Sequence, residues 1–399
     1  MNNTDSESVR PGRRYDVDWL RVVAMGAVFL FHCARFFNEM DWHLKNAEQS
    51  FFASVFTGLL DMWMMHLFFL LAGVASWYAL RSRSGGQYLV DRVKRLLIPL
   101  YTVGMIVLIP PQLYYELVSH QGYTGTFWEL IQLYVETAIS SGIRFGSPFF
   151  VNIFYGHLWF LQFLFIISLV TLPLLLYLRS EGGRSAIERL AGFCDRWGGI
   201  YLFLIPLFIV AISLRGIFVG EHTWADLVYF MLFFLAGYII PADQRFTQAF
   251  KRHCWVSLAL GIVGFGGVAF FVAGQGYDPV GESFSGSFVM FQIAFSIANW
   301  GWVAFLLSVG AKHLNFNNKV LAYSNEALLP FYIFHQTIIL TVGWFVIPLD
   351  MGILPKFIII TVVSFVAIMV LYELLVRRFN VVRFFFGMRP KKKLPEATA

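Results

Sequence analysis

The sequence predicts an all-α, polytopic membrane helix bundle of about ten transmembrane helices with both termini cytoplasmic. Three observations carry that prediction. Apolar residues make up 58% of the 399 residues and charged ones only 14%, outside the range of soluble domains. Runs of about 20 apolar residues, long enough to cross hydrocarbon, recur along the whole chain. The basic residues crowd into alternate gaps between those runs. With the N-terminus inside, 25 of the 30 Lys and Arg fall on the cytoplasmic side, and only Arg35, Lys45, Arg144, Arg215 and Lys356 fall outside. That asymmetry is the positive-inside signature. It also accounts for the net charge of +6 without a nucleic-acid partner.

The elements follow in order. Residues 1–18 read as a cytoplasmic segment. The first run, 19–38, lacks a small-residue cleavage site and nine more follow it, so it is expected to stay as a signal anchor. The second run, 54–80, contains "LFFLLAG". The third, 96–116, follows the basic stretch "RVKRLLIP" (92–99). The largest outer loop, 117–156, holds "TFWELIQLYVETAIS", where Phe127, Leu130, Ile131, Tyr134 and Val135 keep helical spacing. That pattern fits either an interfacial helix or a loop helix packed on the bundle. Runs at 157–178, 199–217, 225–241, 254–274, 286–310, 327–349 and 354–376 complete the membrane domain, read as 19–378, and 379–399 is a basic cytoplasmic tail.

No linker or charge block divides the chain, so any chemistry sits among the helices. The likeness of "LFFLLAG" (67–73) to "LFFLAGY" (232–238) fits small residues that let helices pack closely better than it fits an inverted repeat. "GIVGFGG" (261–267) reads the same way, because no strand precedes it. Cys33, Cys194 and Cys254 suggest no disulfide framework, and no histidine or cysteine spacing suits a metal.

The ionisable residues inside the runs point to function. Such groups cost on the order of 2.5 to 3.5 kcal/mol each on insertion scales, so they face protein or water. Arg21 and His32 are eleven residues apart, which brings them within about 20° on one helix face and about 16 Å apart along the axis. Arg21 belongs at the cytoplasmic edge with Asp18 as its partner, and His32 lies past the midplane. Asp61, His66, His157, Gln162, Asn299 and His335 reach into their spans and are candidates to line a polar cavity around His32. His335 is expected about 12 Å from the cytoplasmic side. Each alone also fits an interhelical hydrogen bond. Arg92 and Arg95 fit a topological signal first, as most basic loops do, and beside Arg21 they also suit a phosphate-bearing ligand.

"DWLR" with the R-x10-H spacing, "LFFLLAG", "RVKRLLIPL", "HLWFL" (157–161) and "FYIFHQ" (331–336) occur in the order found in acyltransferase family 3, and the chain resembles that family over nearly its whole length. "RVKRLLIP", "HLWFL" and the tail "LYELLVRRFNVVRFFFGMRP" are most similar to its glucan-biosynthesis branch. One departure is Ala72, where the family often has Ser. The resemblance implies a ten-helix membrane O-acyltransferase of the bacterial cytoplasmic (inner) membrane. Its donor would be cytoplasmic acyl-CoA, a co-substrate and not a permanently bound cofactor, and its acceptor an extracytoplasmic carbohydrate hydroxyl. Arg21, Arg92 and Arg95 would then hold the coenzyme A nucleotide and His32 would act as general base, or as an acyl-accepting nucleophile. His157, Trp159 and His335 would line the cavity.

A secondary transporter with a polar midplane site and a catalytically silent scaffold are the competing classes. The residues do not choose between succinyl and acetyl, name the acceptor sugar or the oxyanion donor, or reveal the oligomeric state.

Overall fold

The structure is a computed structural model that describes residues 14–141, 148–150, 155–276 and 283–391. Of the residues used to assign orientation and tail, Arg10, Arg13, Arg144, Lys392 and Lys393 lie outside the described residues. The described elements are helices, with no strand among them. Nine are long and apolar enough to cross a membrane: α1 (Tyr15–Ala34), α2 (Phe51–Arg81), α3 (Gly85–Gln121), α4 (Gly156–Tyr177), then, after the shorter α5 (Gly199–Leu214), α6 (Trp224–Ala242), α7 (Cys254–Gly274), α8 (Gly286–His313), α9 (Lys319–Val346) and α10 (Ile353–Val376).

The shorter α5 still spans the bundle. It opens with the 3-10 turn Gly199–Phe203, whose steeper rise stretches the segment to roughly 26 Å. At one end Phe203 meets Phe246, beyond the C-terminus of α6, with ring centroids 6.5 Å apart. At the other, Arg215 pairs at 2.9 Å with Asp226 in the first turn of α6. It therefore runs antiparallel to α6 over that helix's length and makes the tenth crossing. An even number of crossings returns the chain to its starting side. Accordingly, the Trp19 Nε1–H donates to the Phe316 carbonyl in the α8–α9 connection at 3.1 Å. Tyr323, near the start of α9, donates to Glu373 at the end of α10 at 2.7 Å.

The centre of the bundle is built where backbones approach most closely. The two similar motifs face each other there: a Cβ on Gly73 would lie 1.9 Å from the Phe234 carbonyl oxygen, and one on Gly237 1.9 Å from that of Leu70. Without a side chain at either position, α2 and α6 meet backbone to backbone, the packing by which apolar helices associate in lipid. Gly264 meets Ala298 in the same manner between α7 and α8. Helices α4 and α9 are the most enclosed, whereas α7 and α10 leave most of their apolar surface outward.

Among the irregular helices, two show the reason for it. Helix α2 breaks at Met62–Trp63, and the buried Asn299 donates to the freed Met62 carbonyl at 2.9 Å. Asn299 thus serves the fold rather than a cavity around His32. Helix α3 runs well past the expected 96–116 in both directions. It contains the π-helical turns Val93–Leu97 and Leu100–Leu108, beside Pro99, Pro110 and Pro111, which lack the amide hydrogens a regular α-helix would use. The outer-loop helix Phe127–Ser141 rests on the bundle through buried Leu130 and Tyr134 and leaves Trp128, Leu133 and Val135 exposed. Val135, expected on the apolar contact face, is therefore on the open one.

The glycine contact gives a first prediction. Gly73→Val or Gly237→Val should cost at least about 3 kcal/mol, the upper end of ordinary overpacking, and lower the unfolding temperature in detergent. Gly266→Val, at a position with open space around its Cβ, should leave that temperature nearly unchanged.

Candidate functional site

Three histidines from three helices converge near one end of the bundle. His32, two residues from the end of α1, uses its Nδ1–H to donate to the Val28 carbonyl of its own helix at 2.8 Å. That bond selects the tautomer and leaves Nε2 as the lone-pair nitrogen. The His335 ring on α9 stands 4.9 Å from it at 72°. Its Nδ1–H donates to the Tyr332 carbonyl at 2.5 Å, and its buried Nε2 has no partner among the described residues. His157, at the start of α4, lies 4.7 Å from His335. It accepts from Gln112 Nε2 at Nδ1 and donates from Nε2 to the Ile333 carbonyl, both at 3.2 Å.

His335 is deeper than its apolar run implied. Helix α9 begins at Lys319, because its first two turns, "KVLAYSNE", are helical but polar and so escape an apolar window. His335 is then sixteen residues, about 24 Å, from that end, level with His32.

Behind the histidines runs a buried polar chain. Gln112 donates to Thr337 at 2.7 Å and accepts from Gln336 at 3.1 Å. Gln336 also reaches His43 Nε2 at 2.9 Å, and His43 Nδ1 bonds the Glu116 carboxylate. Sequence reading missed Gln112, His43 and Glu116, and quoted Gln336 without giving it a role. These partners lie tens to hundreds of residues apart and share no periodicity. The only local hint is a glutamine directly after two prolines in an apolar helix.

Other expected lining residues lie elsewhere. His66 is buried in an aromatic cage of Phe233, Phe230 and Tyr229, with centroids 4.9, 5.2 and 5.7 Å away. Asp61 ends the first half of α2, at its break. Trp159 lies 4.2 Å from the His222 ring, tilted by 39°. Gln162 accepts from Tyr101 at 2.8 Å.

At the opposite end, α1 begins at Tyr15 rather than 19, so Asp18 is inside the helix, buried, and 3.5 Å from Arg21. Arg21 also donates to the Leu71 carbonyl on α2 at 3.2 Å. Arg92 donates to Ser76 at 2.7 Å and lies over the Tyr88 ring. Exposed Arg95 faces the charges of Arg389, Arg92 and Arg83, offset by Asp91. Like charges gathered in this way are relieved by an anion. Between the two ends, the stripe of α1 that joins Arg21 to His32 holds Met25 and Val28, both buried. Along this helix, packed side chains lie between the basic rim and the histidines.

A ten-crossing helical bundle with histidines held at one end and arginines at the other is an integral membrane protein built around an intramembrane polar site. The family model described as an acyltransferase domain matches residues 14–373, and the chain belongs to that family of membrane acyltransferases. Among its relatives are the glucans biosynthesis protein C of Salmonella paratyphi A and that of Salmonella agona. Each is 22% identical over 415 residues, covering 97% of this chain and 97% of the relative. No solved structure matches the chain. The protein is therefore a membrane acyltransferase, and family membership favours that class over the transporter and the scaffold.

The polar chain yields a second prediction. Gln112→Leu removes the shared partner of His157, Gln336 and Thr337, and each buried group left unsatisfied costs about 1 to 3 kcal/mol. A clear drop in unfolding temperature, larger than for Gln162→Leu, is the expected result.

Proposed function

We propose that this enzyme moves an acyl group, succinyl or acetyl, from cytoplasmic acyl-CoA to a hydroxyl of an extracytoplasmic carbohydrate in a bacterial inner membrane. A glucan is the class that the relatives' name suggests. The observation that carries the reading is the fixed tautomer of His32: Nδ1–H is committed to Val28, so Nε2 is the available base.

In the proposed step Nε2 takes the proton of the acceptor hydroxyl as its oxygen attacks the thioester carbonyl. The C–S bond then breaks, and the sulfur leaves with the proton returned by the imidazolium, giving ester and free thiol. His335, with an unpartnered nitrogen beside His32, lines the reacting volume. Arg95, Arg92 and Arg21 supply the rim for the donor's phosphates, for which guanidinium groups are suited. Donor access requires the seam at Met25 and Val28 to part, and Met is the side chain best able to repack there.

His32→Ala should reduce acyl transfer by roughly 10²- to 10⁴-fold, the usual contribution of a general base, with little change in unfolding temperature. Arg95→Ala should raise the KM for acyl-CoA and leave kcat near wild type. Normal turnover by His32→Ala would remove His32 from the chemistry, and an unaltered donor KM in Arg95→Ala would return that residue to a topological role.

A further inference from the structure

The segment after α1, residues 36–50, has no regular secondary structure but is held by an unusual number of polar anchors. The Lys45 ammonium shares its three hydrogens among four acceptors, the carbonyls of Arg35, Asn38 and Met40 and the Asn38 side chain. Arg35 donates to the Asp41 carbonyl at 2.6 Å, and His120 Nε2–H to that of Trp42 at 2.7 Å. The Asp41 carboxylate accepts the Trp42 amide hydrogen at 2.9 Å. His43 is bonded inward to Gln336 and Glu116. These bonds fix the backbone on both sides of one side chain, Trp42.

The Trp42 ring stands 6.1 Å from His32 at 47°. Phe36 supports it edge-on at 4.8 Å and 82°. The ring is only partly buried, and its indole N–H has no acceptor among the described residues. An apolar face with a spare donor, held rigidly beside a base, matches a pyranose, whose C–H face is apolar and whose rim carries hydroxyls.

We infer that Trp42 is the platform on which the acceptor sugar stacks, presenting one hydroxyl to His32. This rests on the reading of His32 as the transfer centre. A pinned loop makes the platform pre-formed, so little ordering entropy is lost when the sugar arrives.

The test uses full-length protein in detergent with acetyl- or succinyl-CoA as donor and gluco-oligosaccharides as acceptor. It reads thiol release without acceptor and ester formation as acceptor is varied. Trp42→Ala should raise the acceptor KM about tenfold or more, while acceptor-free thiol release stays within about twofold of wild type; Trp42→Tyr should restore most of the loss. Equal loss of both activities in Trp42→Ala and Trp42→Tyr would make Trp42 a structural prop and overturn the inference, as would an unchanged acceptor KM. Wild-type thiol release with no saturable response to any oligosaccharide would overturn the sugar assignment while leaving His32 in place. Absence of thiol release from wild type with either donor would instead sink the reading on which the inference rests.

Discussion

A polar group placed in hydrocarbon has only other protein groups to bond to, and this constraint shapes the structure at every level. The Met62 carbonyl freed by the break in α2 is met by Asn299. Gln112 gathers His157, Gln336 and Thr337. His32 gives Nδ1–H to its own helix. Pairing is incomplete at several buried atoms, among them both ring nitrogens of His66 and Nε2 of His335; of these, His335 is the one that stands beside His32, where the proposed reading places the substrate.

The apolar packing makes those positions possible. Gly73 and Gly237 bring α2 and α6 to backbone contact, and the enclosed α4 and α9 carry His157 and His335 inward. Precision at the histidines therefore comes from rigid helices on three sides. The fourth side is the pinned loop, where a cluster of side-chain bonds to backbone carbonyls substitutes for secondary structure.

Charge divides the molecule along its axis. Arginines collect at the end where the termini lie, and Arg95 stands among Arg389, Arg92 and Arg83 with one carboxylate nearby. The histidine end instead combines neutral glutamines and rings with charges held in local bonds, such as Lys45, Arg35 and Glu116. In the proposed reading the donor's phosphates meet the basic end and the acceptor sugar the other, with Met25 and Val28 packed between them.

Composition, apolar run length and the basic asymmetry were enough to determine an all-helical bundle of ten crossings, because hydrocarbon imposes length and polarity rules that each segment obeys independently. The eleven-residue interval from Arg21 to His32 likewise follows from one helix alone. Which residues surround His32 was decided only by tertiary structure. His335 meets it and His157 meets His335, yet His66 and Asn299, also buried and polar, are turned to an aromatic cage and a broken helix. Trp42, His43 and Glu116 gave no signal in the sequence and Gln112 only its place after two prolines, since their meeting depends on how separate helices rotate and cross. Those rotations are chosen by backbone approach and shape, summed over the whole bundle, and no local pattern records them.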